Sequence, residues 1–98
     1  MVERTVEYTV VGLAEKQGWF CRKIVWPGHR GAPDHVFIKG GRVVWIEFKD
    51  QDEPLSPLQA RKHRAMLAAQ AEVHAVDRVR DGAAILGLTL PAGSGWSL

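Results

Sequence analysis

Residues 31–50 read GAPDHVFIKGGRVVWIEFKD, and the pairing of the two halves of this stretch decides the fold. Gly40-Gly41 is suited to the positive φ values of a two-residue hairpin turn, with DHVFIK and RVVWIEFKD as its strands. That turn fixes the register. Lys39 then faces Arg42, Ile38 faces Val43, Val36 faces Trp45, and counting back puts Asp34 across from Glu47 on the same sheet face. Lys49, two residues on, points the same way. The opposite face carries Phe37, Val44, Ile46 and Phe48, so both sides of the hairpin are apolar, as in a sheet packed between helices.

Working outward, the stretch from Val2 to Gln17 has helical periodicity, with Gly18 as its stop. Val2, Glu3, Val6, Glu7, Val10, Leu13, Ala14 and Gln17 fall within one face, so two glutamates share the stripe expected to meet the core. WFCRKIVW, residues 19–26, reads as a strand ended by Pro27-Gly28. Ser56 and Pro57 open a helix running to about Gln70, with Gln59 completing a capping box and Leu58, Ala65, Met66 and Ala69 on its inner side. Arg61, Lys62 and Arg64 are expected mostly outside. EVHAV, residues 72–76, is a short strand, and Asp77 is expected to cap a last helix through Ala83, Ile85 and Leu86. The order is α-β-β-β-α-β-α, an α/β sheet flanked by helices. The remainder, LTLPAGSGWSL, reads as peripheral, with Trp96 placed to serve an interface.

The 98 residues, 46% hydrophobic, suit one compact domain. Thirteen basic against eleven acidic side chains leave a formal charge of only +2, so affinity for a polyanion must come from where the charges sit. A single cysteine, Cys21, and the lack of a signal peptide or membrane-length apolar run make a reducing, cytoplasmic setting the expectation. The four histidines lack zinc-ligand spacing, and no glycine-rich phosphate cradle supports a nucleotide cofactor. Trp19, Trp26 and Trp45 sit in strand patterns and read as core.

Two carboxylates opposed across a strand pair repel unless a cation or a shared proton relieves them. Mg²⁺ takes oxygen ligands, usually one or two protein carboxylates, and fills its remaining positions with water and substrate phosphate oxygens. Asp34 and Glu47 meet that demand, and Lys49 beside them could orient a water or neutralise developing charge. The bland alternative makes Asp34 a strand cap and Glu47 with Lys49 a surface pair of little energetic value. Glu7, on an apolar face next to this site, could reach the metal as a further ligand, or its water, or be a boundary residue, and for Glu3 the boundary reading is preferred. Gln59 is explained equally by its cap and by a positioning role. Lys23 and Arg30 are the better candidates for phosphate contact, with Arg61 and Lys62 further along the chain.

GAPD, IEFK and LSPLQ, in that order and preceded by a helix bearing glutamate, resemble the VRR-NUC branch of the PD-(D/E)xK nucleases, from about Glu3 to Leu86. The resemblance implies an αβββαβ(α) core with a mixed sheet, spanning residues 1–88 and followed by a tail at 89–98. It implies Asp34, Glu47 and Lys49 as the catalytic core, the Phe48 carbonyl as a further metal ligand, Glu7 as the acid of the first helix and Gln59 as the glutamine of the next. It further implies a Mg²⁺- or Mn²⁺-dependent DNA endonuclease of a bacterial cell or phage-infected host, homodimeric and similar to Holliday junction resolvases. A flap or nicking nuclease, and a catalytically idle DNA-binding or assembly module, stand as alternatives.

Overall fold

The computed structural model describes residues 2–95, so the expectation for Trp96 lies outside the described residues. Its elements are α1 (Glu3–Lys16), β1 (Phe20–Lys23), β2 (His35–Lys39), β3 (Arg42–Phe48), α2 (Pro57–Ala68), β4 (Glu72–Val76) and α3 (Val79–Leu86). The strands lie in chain order in one mixed sheet: β1 pairs antiparallel with β2 and β2 with β3, and β4 runs parallel to β3. A parallel neighbour needs a long crossover, which α2 supplies.

Gly40 and Gly41 have φ of 58° and 82°, the left-handed pair that a tight primed turn requires, and Lys39 pairs with Arg42 as the register demands. One face of the sheet packs on α1 and α3. Val6, Val10 and Ala14, one turn apart on α1, are fully buried with Phe37, Val44, Ile46 and Phe48 from the strands and Val79 and Leu86 from α3. The two helices close on each other because Gly82 has no side chain; a Cβ there would stand 2.9 Å from Val10 Cγ2. The second face carries Val36 and Trp45, with α2 packed beside β4. At the far end of the sheet Arg42 forks onto Glu72, at 2.9 and 2.6 Å, and reaches the Ile85 carbonyl, tying β3, β4 and α3 together.

Four local expectations are corrected. β1 ends at Lys23 rather than Trp26: Ile24 still donates to the Asp34 carbonyl, but Pro33 has no N–H to continue the ladder, and the chain turns away with the Trp26 indole bonded to the Pro33 carbonyl. The buried residue of α2 is His63, while Ala65 and Ala69 are exposed. Asp77 does not cap α3. Its carboxylate accepts the Asp52 N–H at 2.7 Å, and the N-cap position falls to Arg78 without a side-chain cap. The segment after α3 is not peripheral at its start, because Leu88 and Leu90 pack on the core and Gln17 exchanges two 2.8 Å hydrogen bonds with the Thr89 backbone.

Gly31 holds the loop before β2 against α2. Its φ is +87°, and a Cβ would stand 2.9 Å from both the Leu58 carbonyl oxygen and Leu58 Cγ. Gly31→Ala therefore combines backbone strain with a clash against main chain, and chemical denaturation should show a loss of roughly 1–3 kcal/mol.

Candidate functional site

The β2–β3 ladder runs through Val36 opposite Trp45 and His35 opposite Ile46. The next step along both strands brings Asp34 and Glu47 to the same level, where β2 begins and β3 is about to end. Glu47 is buried at 8% exposure, and Lys49, two residues on, at 9%. Burial foremost, and then the charge of Asp34, push the Glu47 carboxyl up to about 7, against the pull of Lys49. For Asp34 burial acts upward as well, but the hydrogen bond and charge of His35, helped by Lys23, bring it below the usual carboxylate range. Two facing acids thus end with unequal proton affinity.

His35 explains the inequality. Its Nδ1 lies 3.0 Å from Asp34 Oδ1 and its Nε2 3.0 Å from Glu7 Oε1, while its ring stacks on Phe37 and meets Phe48 edge-on. The ring thus bridges the two carboxylates. Glu7 therefore joins the site through His35, and its Oε1 also lies 3.5 Å from Lys23 Nζ. Zinc-ligand spacing does not single out this histidine. Strand alternation carried the signal, since it sets His35 with Phe37 on the α1 side, beside Asp34 in the chain.

On the other side α2 reaches the same edge. Lys49 Nζ donates to Gln59 Oε1 at 3.1 Å and lies 3.5 Å from Glu53 Oε2. The same Gln59 oxygen accepts the Ser56 N–H at 2.9 Å, and Ser56 Oγ accepts the Gln59 N–H, completing the capping box. Cap and lysine anchor are one atom's work, so the two readings of Gln59 coexist. Phe48, fully buried between Glu47 and Lys49, offers the site only its main-chain carbonyl.

Glu3 is closer to this chemistry than a boundary role suggests. Its N–H donates to Asp50 Oδ1 at 2.6 Å, and carboxylate oxygens of Glu3, Asp50 and Glu53 lie within 4.8 Å of one another. Burial, then Asp50, Asp34, Glu7 and Glu53 in turn, raise its pKa. Of the basic candidates, Lys23 is drawn to the site by Glu7. Arg30 is exposed on the β1–β2 loop and Arg61 is exposed on α2. Lys62 lines a hollow of about 300 Å³ with Trp26, His29 and Met66. The oxygen donors of Asp34 and Glu47, with the Phe48 carbonyl, suit a hard divalent cation, and the raised pKa of Glu47 marks the negative charge such an ion would neutralise. Among the described residues no helix is long and apolar enough to cross a membrane.

No family model matches the chain. A curated protein named "Putative nuclease p44", from Acyrthosiphon pisum secondary endosymbiont phage 1, is 33% identical over 76 residues, which span 76% of this chain and 82% of the phage protein. A solved structure described as a VRR_NUC domain superposes with a TM-score of 0.78 at 25% identity, covering 87% of this chain and 94% of that one.

The raised pKa of Glu47 has a sign in stability. Between the ordinary 4.5 and about 7 the folded chain keeps a proton that the unfolded chain has lost, so without metal the stability falls as pH rises through this window. The loss is on the order of 3 kcal/mol at most. Urea titrations of metal-free protein at pH 4.5 and 7.5 should show it, and Glu47→Gln should flatten the slope.

Proposed function

Since the chain belongs to the VRR-NUC family of nucleases, we propose that it is a DNA endonuclease that hydrolyses phosphodiester bonds with a divalent ion, Mg²⁺ or Mn²⁺, held by Asp34 and Glu47. The observation that carries this reading is the pair of acids at the open end of a buried hairpin, one with its pKa raised to about 7 by burial and by its neighbour, with Lys49 alongside. A bound ion supplies Lewis acidity to an attacking water and to the scissile phosphate. Asp34 and Glu47 hold it, with the Phe48 carbonyl as a further donor. Lys49, its ammonium fixed by Gln59, neutralises negative charge that develops on the phosphate. Glu7 acts through His35, keeping the Asp34 carboxylate ionised and aimed.

DNA is held by Lys23, Arg30, Arg61 and Lys62, charges that position a backbone without reading sequence. We assign the nuclease unit to residues 1–88 and its setting to the cytoplasm of a bacterium or phage-infected host. Branched DNA is the proposed substrate and a homodimer the working form, because cutting two strands of a junction in a Holliday resolvase manner calls for two sites related by a twofold axis. Flap cutting, nicking, and an idle DNA-binding or assembly module are the competing outcomes.

Junction, flap and linear duplex offered side by side, with Mg²⁺, Mn²⁺ or chelator, separate these. Cleavage in either metal and none in chelator is expected, strongest on the junction. Asp34→Ala and Lys49→Ala should each lower the rate by roughly 100-fold or more while gel-shift binding persists. Wild-type protein that binds DNA and never cuts it would leave only the idle module.

Gln59 can be dissected separately. Gln59→Ala should cost about 0.5–1 kcal/mol of stability as well as activity. Gln59→Glu keeps the capping box and so the stability, but pairs its charge with Lys49; cleavage should still fall. Wild-type cleavage by Gln59→Glu would reduce Gln59 to a helix cap.

A further inference from the structure

The outward face of α1 has no function in the site just described, yet it is patterned. Arg4, Tyr8, Val11 and Glu15 form one stripe at helical spacing outside the Val6, Val10 and Ala14 face that enters the core, with Val11 half-buried against that core and the other three further out. Tyr8 is 83% exposed, and the stripe borders a groove of about 560 Å³ whose inner end is lined by Glu7 and His35 of the site. Neither Arg4 nor Glu15 forms an ion pair among the described residues. Gly12, beside the stripe, is a poor helix former in mid-helix, and nothing within 4 Å of a Cβ there explains it from inside the chain. Gly82 on α3, by contrast, is explained by Val10.

From this pattern we infer that the outward face of α1 is the surface on which a second copy of the chain docks, the two α1 helices lying antiparallel across a twofold axis. The inference rests on the two-copy reading above and gives it a location. About an axis passing between Thr9 and Val10, each position faces the one whose number brings the sum to nineteen. Arg4 then meets Glu15 of the other copy at both ends of the contact, ends that lie about 16 Å apart along the helix. Tyr8 and Val11 fill the centre. Tyr8 falls on the same flank as Gly12 of the other copy and less than one turn from it, so the missing side chain lets the ring lie against bare backbone. Self-complementary charge around an apolar centre is what an isologous contact requires. A nucleic acid fits the stripe poorly, because its own two charges, Arg4 and Glu15, cancel.

The test uses charge variants of the full chain in sedimentation equilibrium. Arg4→Glu makes both ends of the stripe acidic and Glu15→Arg makes both basic, so each alone should weaken its own dimer by about tenfold or more. Mixed in equal amounts, they should pair as tightly as wild type. Gly12→Leu should remain folded by circular dichroism and lose the dimer. A wild-type dimer that none of these changes disturbs places the contact elsewhere, such as the open edge of β1, and overturns the inference. Weakened DNA binding by a monomeric Arg4→Glu would make the stripe a phosphate contact, also overturning it. Wild-type protein that stays monomeric removes this surface and the two-copy reading together; the nuclease reading then stands or falls separately, on whether that monomer still nicks DNA.

Discussion

The site depends on a register set six residues away from its nearest acid. Two glycines in the left-handed region close the hairpin at Gly40-Gly41, and every later pair follows from that closure. Because side chains alternate, a slip of one residue would turn Asp34 onto the α1 side and His35 off it. The apolar sets on the two faces resist such a slip, since Phe37 would leave the core while Val44, Ile46 and Phe48 of β3 kept their places in it. Packing thereby holds two acids at one level of the sheet although their charges oppose it.

Each layer of helix then grips the acid end of the sheet from its own side. From α1, Glu7 holds His35, and His35 holds Asp34, so a helix on one face orients a carboxylate that alternation assigns to the other. From α2, Gln59 holds Lys49 with the oxygen that also receives the Ser56 N–H. A helix start and a buried ammonium share one acceptor. The cap is thus a positioning device, and the fold and the site cannot be assigned separate residues at this point.

What could be read in the sequence was what is local or periodic. The glycine pair, the strand alternation and the Ser-Pro-Leu-Gln helix start each carry their geometry within a few residues, and the structure has them as read. What escaped was decided by competition between distant groups. Asp77 is a good cap by type, yet the Asp52 N–H from another loop takes its carboxylate. The alanines of α2 mark an apolar side by composition, but the helix turns His63 inward. His35 was hidden for another reason: its partners lie in the neighbouring residue and in a helix 28 positions earlier in the chain, a pattern that no ligand spacing describes.

Electrostatics also argue for the cation. Around Asp34 and Glu47 stand Glu3, Glu7, Asp50 and Glu53, and all but Glu7 have carboxylate oxygens within 4.8 Å of one another in their own cluster. Against them the near basic groups are Lys49, Lys23 and His35, each engaged by a carboxylate. A phosphodiester approaching this end of the sheet therefore meets a field that repels it, and a net charge of +2 spread over the whole chain is too little to reverse that locally. A doubly charged ion at this end of the sheet would neutralise that repulsion and, because such an ion takes only one or two protein carboxylates, would leave positions open to phosphate oxygens.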